Sequence, residues 1–558
     1  MKETLIILGA GVMQGPAIRT AREMGLYTVA VDADDRAPCV PLADRFEKID
    51  LKDKEGIAGL GLALQKEGPL GGVMTAGTDF SASAAWAAER LGLPGIPYEA
   101  ALNASDKERM RRCFSEAGLP SPAFMILDAV PAADQPPAGL PGSYPLVVKP
   151  VDNMGARGCR QVRNSGELRR AVADALNFSR SRRAIVEAFM EGPEFSVDAI
   201  VYHGDITICG LADRHIFFPP YFIEMGHTMP TALPPEQQEA LLETFRAGIR
   251  ALGIAGEKSA GAAKGDIKLA PPGPMIGEIA ARLSGGYMSG WTYPYASGVN
   301  PVRGAILAAL GRKPEGLVPV RNWTSAERAF ISIPGRVRSI KGREAAGDIP
   351  HVKDLFMRAE AGGTVKFPEN NVTKCGNVIS AAPGRDTAVE AAERAARSVL
   401  VRLEAPGRDT AEFLAAGAAD SPGAGKTEKF PPDAFEAGPE LRRLLDRLPP
   451  EKGRENTRVR PENLRILPFP EFQASGLRDY MGRTVEESLD AVRALTGISL
   501  PESPEKPAAG IPPAGVEDTT GAADNEVCLG RSFWAALIRG GYQGAAYIVD
   551  SLTGGGQP

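Results

Sequence analysis

An apolar run, Thr4–Leu8, breaks at Gly9-Ala-Gly11-Val-Met-Gln14-Gly15; the chain then reads as helical from Pro16 to Met24, before a second apolar run, Tyr27–Val31, that ends at Asp32. Short apolar runs separated by a glycine turn and a stretch of helical periodicity make a βαβ unit, and such a unit commits a chain to an α/β layer architecture. The alternation continues, with Gly72-Val-Met-Thr75 as a strand, Thr78-Asp79 as a turn and Ala82–Leu91 as a helix stopped by Gly92-Leu-Pro94. At 558 residues and 43% hydrophobic the chain is too long for one core. Its length fits roughly three to four domains.

The opening unit is Rossmann-like. A dinucleotide fingerprint needs glycine at both ends of G-x-G-x-x-G, whereas here Gln14 takes the last place and the glycine comes one residue late at Gly15. NAD binding is therefore weakened, although Asp32 sits where a ribose-binding acid would. An α/β unit can also serve as a binding platform without a nucleotide. The net charge of −5, with both signs mixed throughout, excludes a basic nucleic-acid surface. Six cysteines lie far apart without a CxxC, and only four histidines are present, which argues against a disulfide framework or a zinc site. The N-terminal apolar run is too short for a signal sequence, and no stretch is long enough to span a bilayer. These features fit a cytoplasmic protein with no membrane partner.

Asp266 and Glu278 lie at the ends of two apolar stretches, with Arg282 four residues further on, in Glu278-Ile-Ala-Ala-Arg282-Leu-Ser-Gly-Gly. Magnesium takes hard oxygen ligands, usually one or two carboxylates plus substrate phosphates, and a guanidinium can steady charge on a phosphoryl group in transfer. Upstream, Asn103–Gly118 reads as a capped helix, and Tyr144-Pro-Leu-Val-Val-Lys149-Pro150 as a strand ending in lysine. Val151-Asp-Asn-Met-Gly155-Ala-Arg-Gly158-Cys-Arg-Gln-Val162 follows, then Arg183-Ala-Ile-Val-Glu187-Ala-Phe189-Met-Glu-Gly-Pro-Glu194-Phe-Ser-Val, and then Ala263-Lys-Gly-Asp266 and Met275-Ile-Gly-Glu278. In this order the motifs resemble the ATP-grasp superfamily, with its carboxylate–amine ligase and biotin-carboxylase-like members.

The resemblance implies an α/β ATP-grasp fold with ATP and Mg²⁺ as cofactors. It implies that Lys107 and Lys149 contact phosphates, Gly155 and Gly158 shape the loop that closes over them, and Glu187 and Phe189 lie along the adenine. It places Glu194 on the ribose, Asp266 and Glu278 on the metal, and Arg282 as the catalytic guanidinium beside an acyl phosphate. Gly285, Gly286 and the aromatic loop from Tyr287 to Tyr295 would line the substrate site, with His227 as a lid or substrate contact, or else a structural histidine. One departure is Ala280, where members often carry a second oxygen ligand; whether one or two magnesium ions bind is thereby left open.

Domain boundaries follow. Residues 1–105 form the Rossmann-like domain that precedes the ATP-grasp domain at 106–315, whose hairpin-bearing part covers about 120–190. Residues 316–405 resemble a small C-terminal α/β lid with a helix from Asp386 to Leu403. Ala-, Gly- and Pro-rich composition makes 406–470 a linker, within which Gly423-Ala-Gly-Lys426-Thr427 imitates the end of a P-loop without its first glycine or its strand. Residues 471–558 form a partly irregular helical tail. It includes a capping box at Thr484-Val-Glu-Glu487, an apolar stripe of Val485, Leu489, Val492 and Leu495, and a further Pro-rich stretch, Pro501–Pro513. Its stripes must bury against the lid or a second subunit. The expected activity is a ligase that makes an acyl phosphate from a small carboxylate and ATP for attack by an amine. The alternatives are a silent ATP sensor and a biotin-carboxylase-like carboxylase.

Overall fold

The computed structural model describes residues 2–132, 137–416, 430–451, 458–503 and 526–554. It divides into two compact units: Met1–Arg328 with Glu369–Asn371 and Ile379–Ala392, and Ala329–Pro368 with Val372–Val378 and Glu393–Pro558.

The first unit opens with β1 (Thr4–Leu8), α1 (Gly15–Glu23), β2 (Tyr27–Asp32), β3 (Arg45–Lys48), α2 (Lys54–Glu67), β4 (Leu70–Thr75), α3 (Ser81–Arg90), α4 (Tyr98–Ser105) and α5 (Lys107–Glu116). Its parallel sheet runs β3-β2-β1-β4, with Ile6 opposite Val29 and Val73. Every residue of β1 is buried, the pattern of a strand covered on both faces. In the glycine turn the Gln14 side chain packs against Gly9, where a Cβ would lie 2.9 Å from it, and its amide donates to Ala76 O, while Asp32 Oδ2 accepts from Ala10 N at 2.8 Å. The helix expected over Asn103–Gly118 is two helices. Asp106 is extended, which stops α4, and its side chain accepts from Arg109 N to start α5.

Next comes a small sheet, order β5-β8-β6-β7, from β5 (Phe124–Leu127), β6 (Leu146–Pro150), β7 (Arg160–Val162) and β8 (Ala184–Ala188), with α6 (Ser165–Phe178) packed on it through Leu168, Ala171, Val172 and Ala175. A larger antiparallel sheet then carries β13-β12-β9-β10-β11-β14, formed by β9 (Glu194–Tyr202), β10 (Asp205–Phe217), β11 (Ile223–Met229), β12 (Ala260–Ala270), β13 (Gly273–Ala280) and β14 (Thr324–Phe330). Helix α7 (Pro235–Ala251) covers it with Leu241, Phe245 and Ile249.

The helix expected to reach Leu403 stops at Ser398, and in the second unit Leu400–Leu403 is a strand antiparallel to Gly335–Lys341. The run Val399-Leu-Val-Arg-Leu403 is β-prone and buries Val401 and Leu403, so sheet pairing overrides the helical period before it. Within 406–470, helices form at Arg408–Ala415 and Pro439–Arg447; the P-loop imitation at 423–427 lies outside the described residues, as does most of 501–513. The Thr484–Glu487 capping box is present, and Val485, Leu489, Val492 and Leu495 are buried together with Phe469, Phe472, Phe533 and Trp534 in one core. The last stretch is one helix, Arg531–Thr553, broken at Gly541 (φ 60°, ψ −151°).

Candidate functional site

The β12–β13 hairpin sets Asp266 on the same rung as Glu278. Directly opposed antiparallel residues hold their Cβ atoms about 4.5–5.5 Å apart. Cations crowd round them: Lys107 Nζ lies 3.5 Å from Glu278 Oε2 and donates to Asn153 O at 2.9 Å, Lys264 pairs with Asp266, and Arg214 approaches Asp266 Oδ1 to 2.9 Å. Ser196 Oγ also donates to Asp266 Oδ1 at 3.0 Å. Burial pushes the Glu278 carboxyl up, but Lys107, Lys264, Lys149 and Arg282 outweigh it and hold the group at about 2. Glu278 thus stays anionic at any working pH, and a third of its side chain is still exposed (33%). Two adjacent hard-oxygen donors with cations beside them suit Mg²⁺ that carries a polyphosphate. Ala280 supplies no further donor there.

Lys149 stands on β6 opposite Ile185 and reaches Glu187 Oε2 at 2.7 Å. Glu187 is buried and also takes Arg111 Nε at 2.8 Å, while Arg111 Nη2 donates to Gly277 O at 2.5 Å. Against the cost of burial, Arg111 and Lys149 hold the Glu187 carboxyl at about 2. Its side chain therefore joins the small sheet to the β13 strand through Arg111. Phe189 is stacked near Phe222 at 6.5 Å with Lys268 Nζ 5.2 Å from its ring, and Lys268 also donates to Met190 O at 3.0 Å. Gly155 and Gly158 both have positive φ (68° and 66°), and a Cβ at Gly158 would meet Phe178 at 2.9 Å.

Arg214, on β10, gathers three acids: Glu194, Glu224 and Asp266. Glu224 in turn abuts the Gly285-Gly286 turn, since a Cβ at Gly286 (φ 61°) would lie 2.8 Å from its Oε1. His227 follows Gly226 on β11 and stands opposite Glu327, with Nδ1 3.1 Å from Glu327 Oε2. Arg282 is buried and donates to Leu283 O at 3.0 Å. The turn after it is anchored by Asp198, which accepts from Ser284 N at 3.0 Å and from Ser284 Oγ. Burial, outweighing those hydrogen bonds, pushes the Asp198 carboxyl up to about 6. Gly285 backs onto Gly77 of the first sheet's edge, where a Cβ would lie 3.4 Å from Gly77 Cα.

The geometry thus gathers Lys107, Lys149, Asp266, Glu278 and Glu194 into one charged lattice, and sets His227 and Gly286 beside Glu224, with Gly285 next in the turn; Phe189 meets the lattice through Lys268, the register partner of Glu194. Sequence reasoning missed Arg111, Arg214, Glu224, Lys264, Glu327 and Asn371. Arg111 is four residues after Lys107 on α5 and Lys264 two before Asp266 on β12, so helix and strand periods pointed to both. Asn371, whose N–H donates to Gly155 O at 3.0 Å while its Oδ1 accepts from Glu224 N at 2.8 Å, carries no local signal at all.

The ATP-grasp domain family matches residues 142–259, and a second family, the L-amino acid ligase C-terminal domain 2, matches 329–404. An uncharacterized protein of Sinorhizobium fredii, y4rH, is 25% identical over 407 residues, 72% of this chain and 83% of that protein. Carnosine synthase 1 of Gallus gallus is 27% identical over 417 residues; the match takes in 69% of this chain but only 44% of the synthase. Among solved structures, the L-amino acid ligase from Bacillus licheniformis superimposes with a TM-score of 0.62 at 23% identity, over 72% of this chain and 100% of that one. Among the described residues no helix is long and apolar enough to cross a membrane. ATP with Mg²⁺ serves the ligases of this fold, and the Asp266–Glu278 rung fits that pair. Residues 142–259 thus carry an ATP-grasp domain, and the chain shares its fold with carboxylate–amine ligases and biotin carboxylases of known structure.

Proposed function

We propose that the protein joins two amino acids, or an amino acid and another small amine, at the expense of ATP, by way of an acyl phosphate. The observation that carries this reading is the pair of opposite charges about one turn: the Arg282 guanidinium at its start and the Glu224 carboxylate against Gly286. A guanidinium suits a carboxylate or its acyl phosphate, and a buried carboxylate suits an ammonium, so the turn is equipped for a zwitterion. The match of 329–404 to an L-amino acid ligase domain favours this over a biotin-carboxylase-like reaction.

The division of labour follows from position. Asp266 and Glu278 would hold Mg²⁺, which neutralises phosphate charge when bound. Lys107 and Lys149 face the phosphates from α5 and β6, and Glu194 takes the ribose. The loop through Gly155 and Gly158 covers the phosphates and excludes the water that would hydrolyse an acyl phosphate. Arg282 steadies the charge on the transferring group.

Incubation with MgATP and the twenty common L-amino acids, singly and in pairs, read by phosphate release and product mass, tests the proposal. A condensed product with stoichiometric phosphate is the expected result; tight MgATP binding without turnover for any pair would replace the ligase with a nucleotide sensor. In the active protein Glu278→Gln abolishes phosphate release and leaves ATP affinity within about tenfold by calorimetric titration, because one metal ligand matters more to transfer than to adenine recognition.

A further inference from the structure

We propose that Asn371 is a positioning residue that couples the loop over the phosphates to the carboxylate that takes the amine, so that occupancy at Glu224 and closure of the loop favour each other. The inference rests on the ligase reading above. Asn371 lies in a turn, in the short piece Glu369–Asn371 that belongs to the first unit while the chain on either side of it belongs to the second. It makes one bond to each partner. Its backbone N–H donates to Gly155 O at 3.0 Å, and its side-chain Oδ1 accepts from Glu224 N at 2.8 Å. A single residue therefore stands between the bend of the covering loop and the second residue of β11, whose carboxylate faces Gly286.

The loop gains from a hold outside itself. Gly155 (φ 68°) is followed by Ala156 at φ 59°, and a residue with a Cβ keeps to the left-handed region only where its surroundings fix it. Within the loop, Arg157 Nε donates to Asn153 Oδ1 at 3.0 Å and to Met154 O at 3.1 Å, and Cys159 N donates to Ala156 O at 3.2 Å. Beyond it, the strand that follows docks on the connection between β10 and β11: Gln161 N donates to Pro220 O and Arg160 Nη2 to Tyr221 OH, both at 2.8 Å. The covering hairpin is thus fastened along β7 to the chain that leads into Glu224, and at its bend, through Asn371, to Glu224 itself.

The N–H that Asn371 accepts belongs to the same residue whose carboxylate takes the ammonium. A ligand on that carboxylate restrains its backbone, and closure of the loop onto an already restrained partner costs less order. By linkage, a closed loop holds the amine more tightly to the same degree. The chemical gain is protection of the acyl phosphate: the loop excludes water most firmly when the nucleophile that should consume the intermediate is in place.

Asn371→Ala removes Oδ1 and keeps the N–H that reaches Gly155. Full-length wild type and variant are titrated by calorimetry with Mg²⁺ and a non-hydrolysable ATP analogue, with and without the amino acid that supplies the amine in the pair of highest turnover. In wild type the amine is expected to tighten analogue binding at least about fivefold, and in Asn371→Ala less than about twofold, with affinity for the analogue alone within about twofold of wild type. During turnover the variant is expected to release at least about two phosphates per amide formed, where wild type releases about one. Tightening by the amine that is equal in the two proteins, or absent from wild type, overturns the proposal. A purely structural role weakens analogue binding alike with and without the amine, leaves their ratio unchanged, and overturns it too. If Asn371→Ala is not folded by circular dichroism, Asn371→Ser, whose shorter side chain withdraws the acceptor from Glu224 N, is read by the same ratio. A wild-type protein that condenses no pair of amino acids overturns the ligase reading itself.

Discussion

Asp198 shows how a buried acid can be retained at a cost to stability. Its carboxyl is fully buried, accepts from Ser284 N and Oγ, and is pushed by burial from 3.8 to about 6. A group whose folded pKa is raised stabilises the fold most below its unfolded pKa, and that contribution is lost as pH rises through about 6. About two units correspond to about 3 kcal/mol at the limit. Asp198→Asn removes the titration while it keeps one acceptor for Ser284. We expect the melting temperature of the variant relative to wild type to be higher at pH 7.5 than at pH 5, as read by calorimetry; the same difference at both values would show that Asp198 does not titrate in this window. Asp198 fixes the turn between Arg282 and Gly286 through Ser284, so under the proposed ligase reading the same variant should bind an amino-acid substrate less well.

At the scale of elements, the helix Arg531–Thr553 is interrupted where Gly541 takes φ 60° and ψ −151°, a conformation open essentially to glycine alone. Gly541→Ala should therefore lower the melting temperature of the second unit, by the order of 1–3 kcal/mol in stability; an unchanged melt would mean that the break adjusts without cost. Elements with a local signature were legible in the chain: β1 by its apolar run and the Val485–Thr496 helix by its capping box, whereas the stop at Asp106 that divides α4 from α5 was read through as one helix. The strand Leu400–Leu403 was not, because a helical period runs into it and only pairing with Gly335–Lys341 decides its state. Arg214, Glu224 and Glu327 were equally hidden. They meet through the mutual register of β10, β11 and β14, which no window of one strand encodes.

For the whole molecule, every residue of the candidate site belongs to the unit that contains Met1–Arg328, whereas the stretch beyond 405 builds most of the interior of the other. Arg402 is held by Asp550 at 2.5 and 2.8 Å, and Gln543 accepts from Ile333 N at 3.1 Å. Removal of residues 406–558 would leave Arg402 as a buried cation without its carboxylate, which costs several kcal/mol by analogy with other broken buried pairs, about 3–5. We expect the truncated protein to lose the calorimetric transition of the second unit and to keep a transition that MgATP shifts upward; loss of that shift with the first unit still folded would place part of the nucleotide site in the removed residues. Within the first unit, Arg214 has a consequence of its own. One guanidinium balances Glu194, Glu224 and Asp266, acids assigned to ribose, amine and metal. A ligand that claims any one of them leaves more of the shared positive charge to the other two, so occupancy at one position changes affinity at the next, and by reciprocity the reverse holds. Under the proposed assignments, the coupling between nucleotide, metal and amine is then a thermodynamic property of a single side chain.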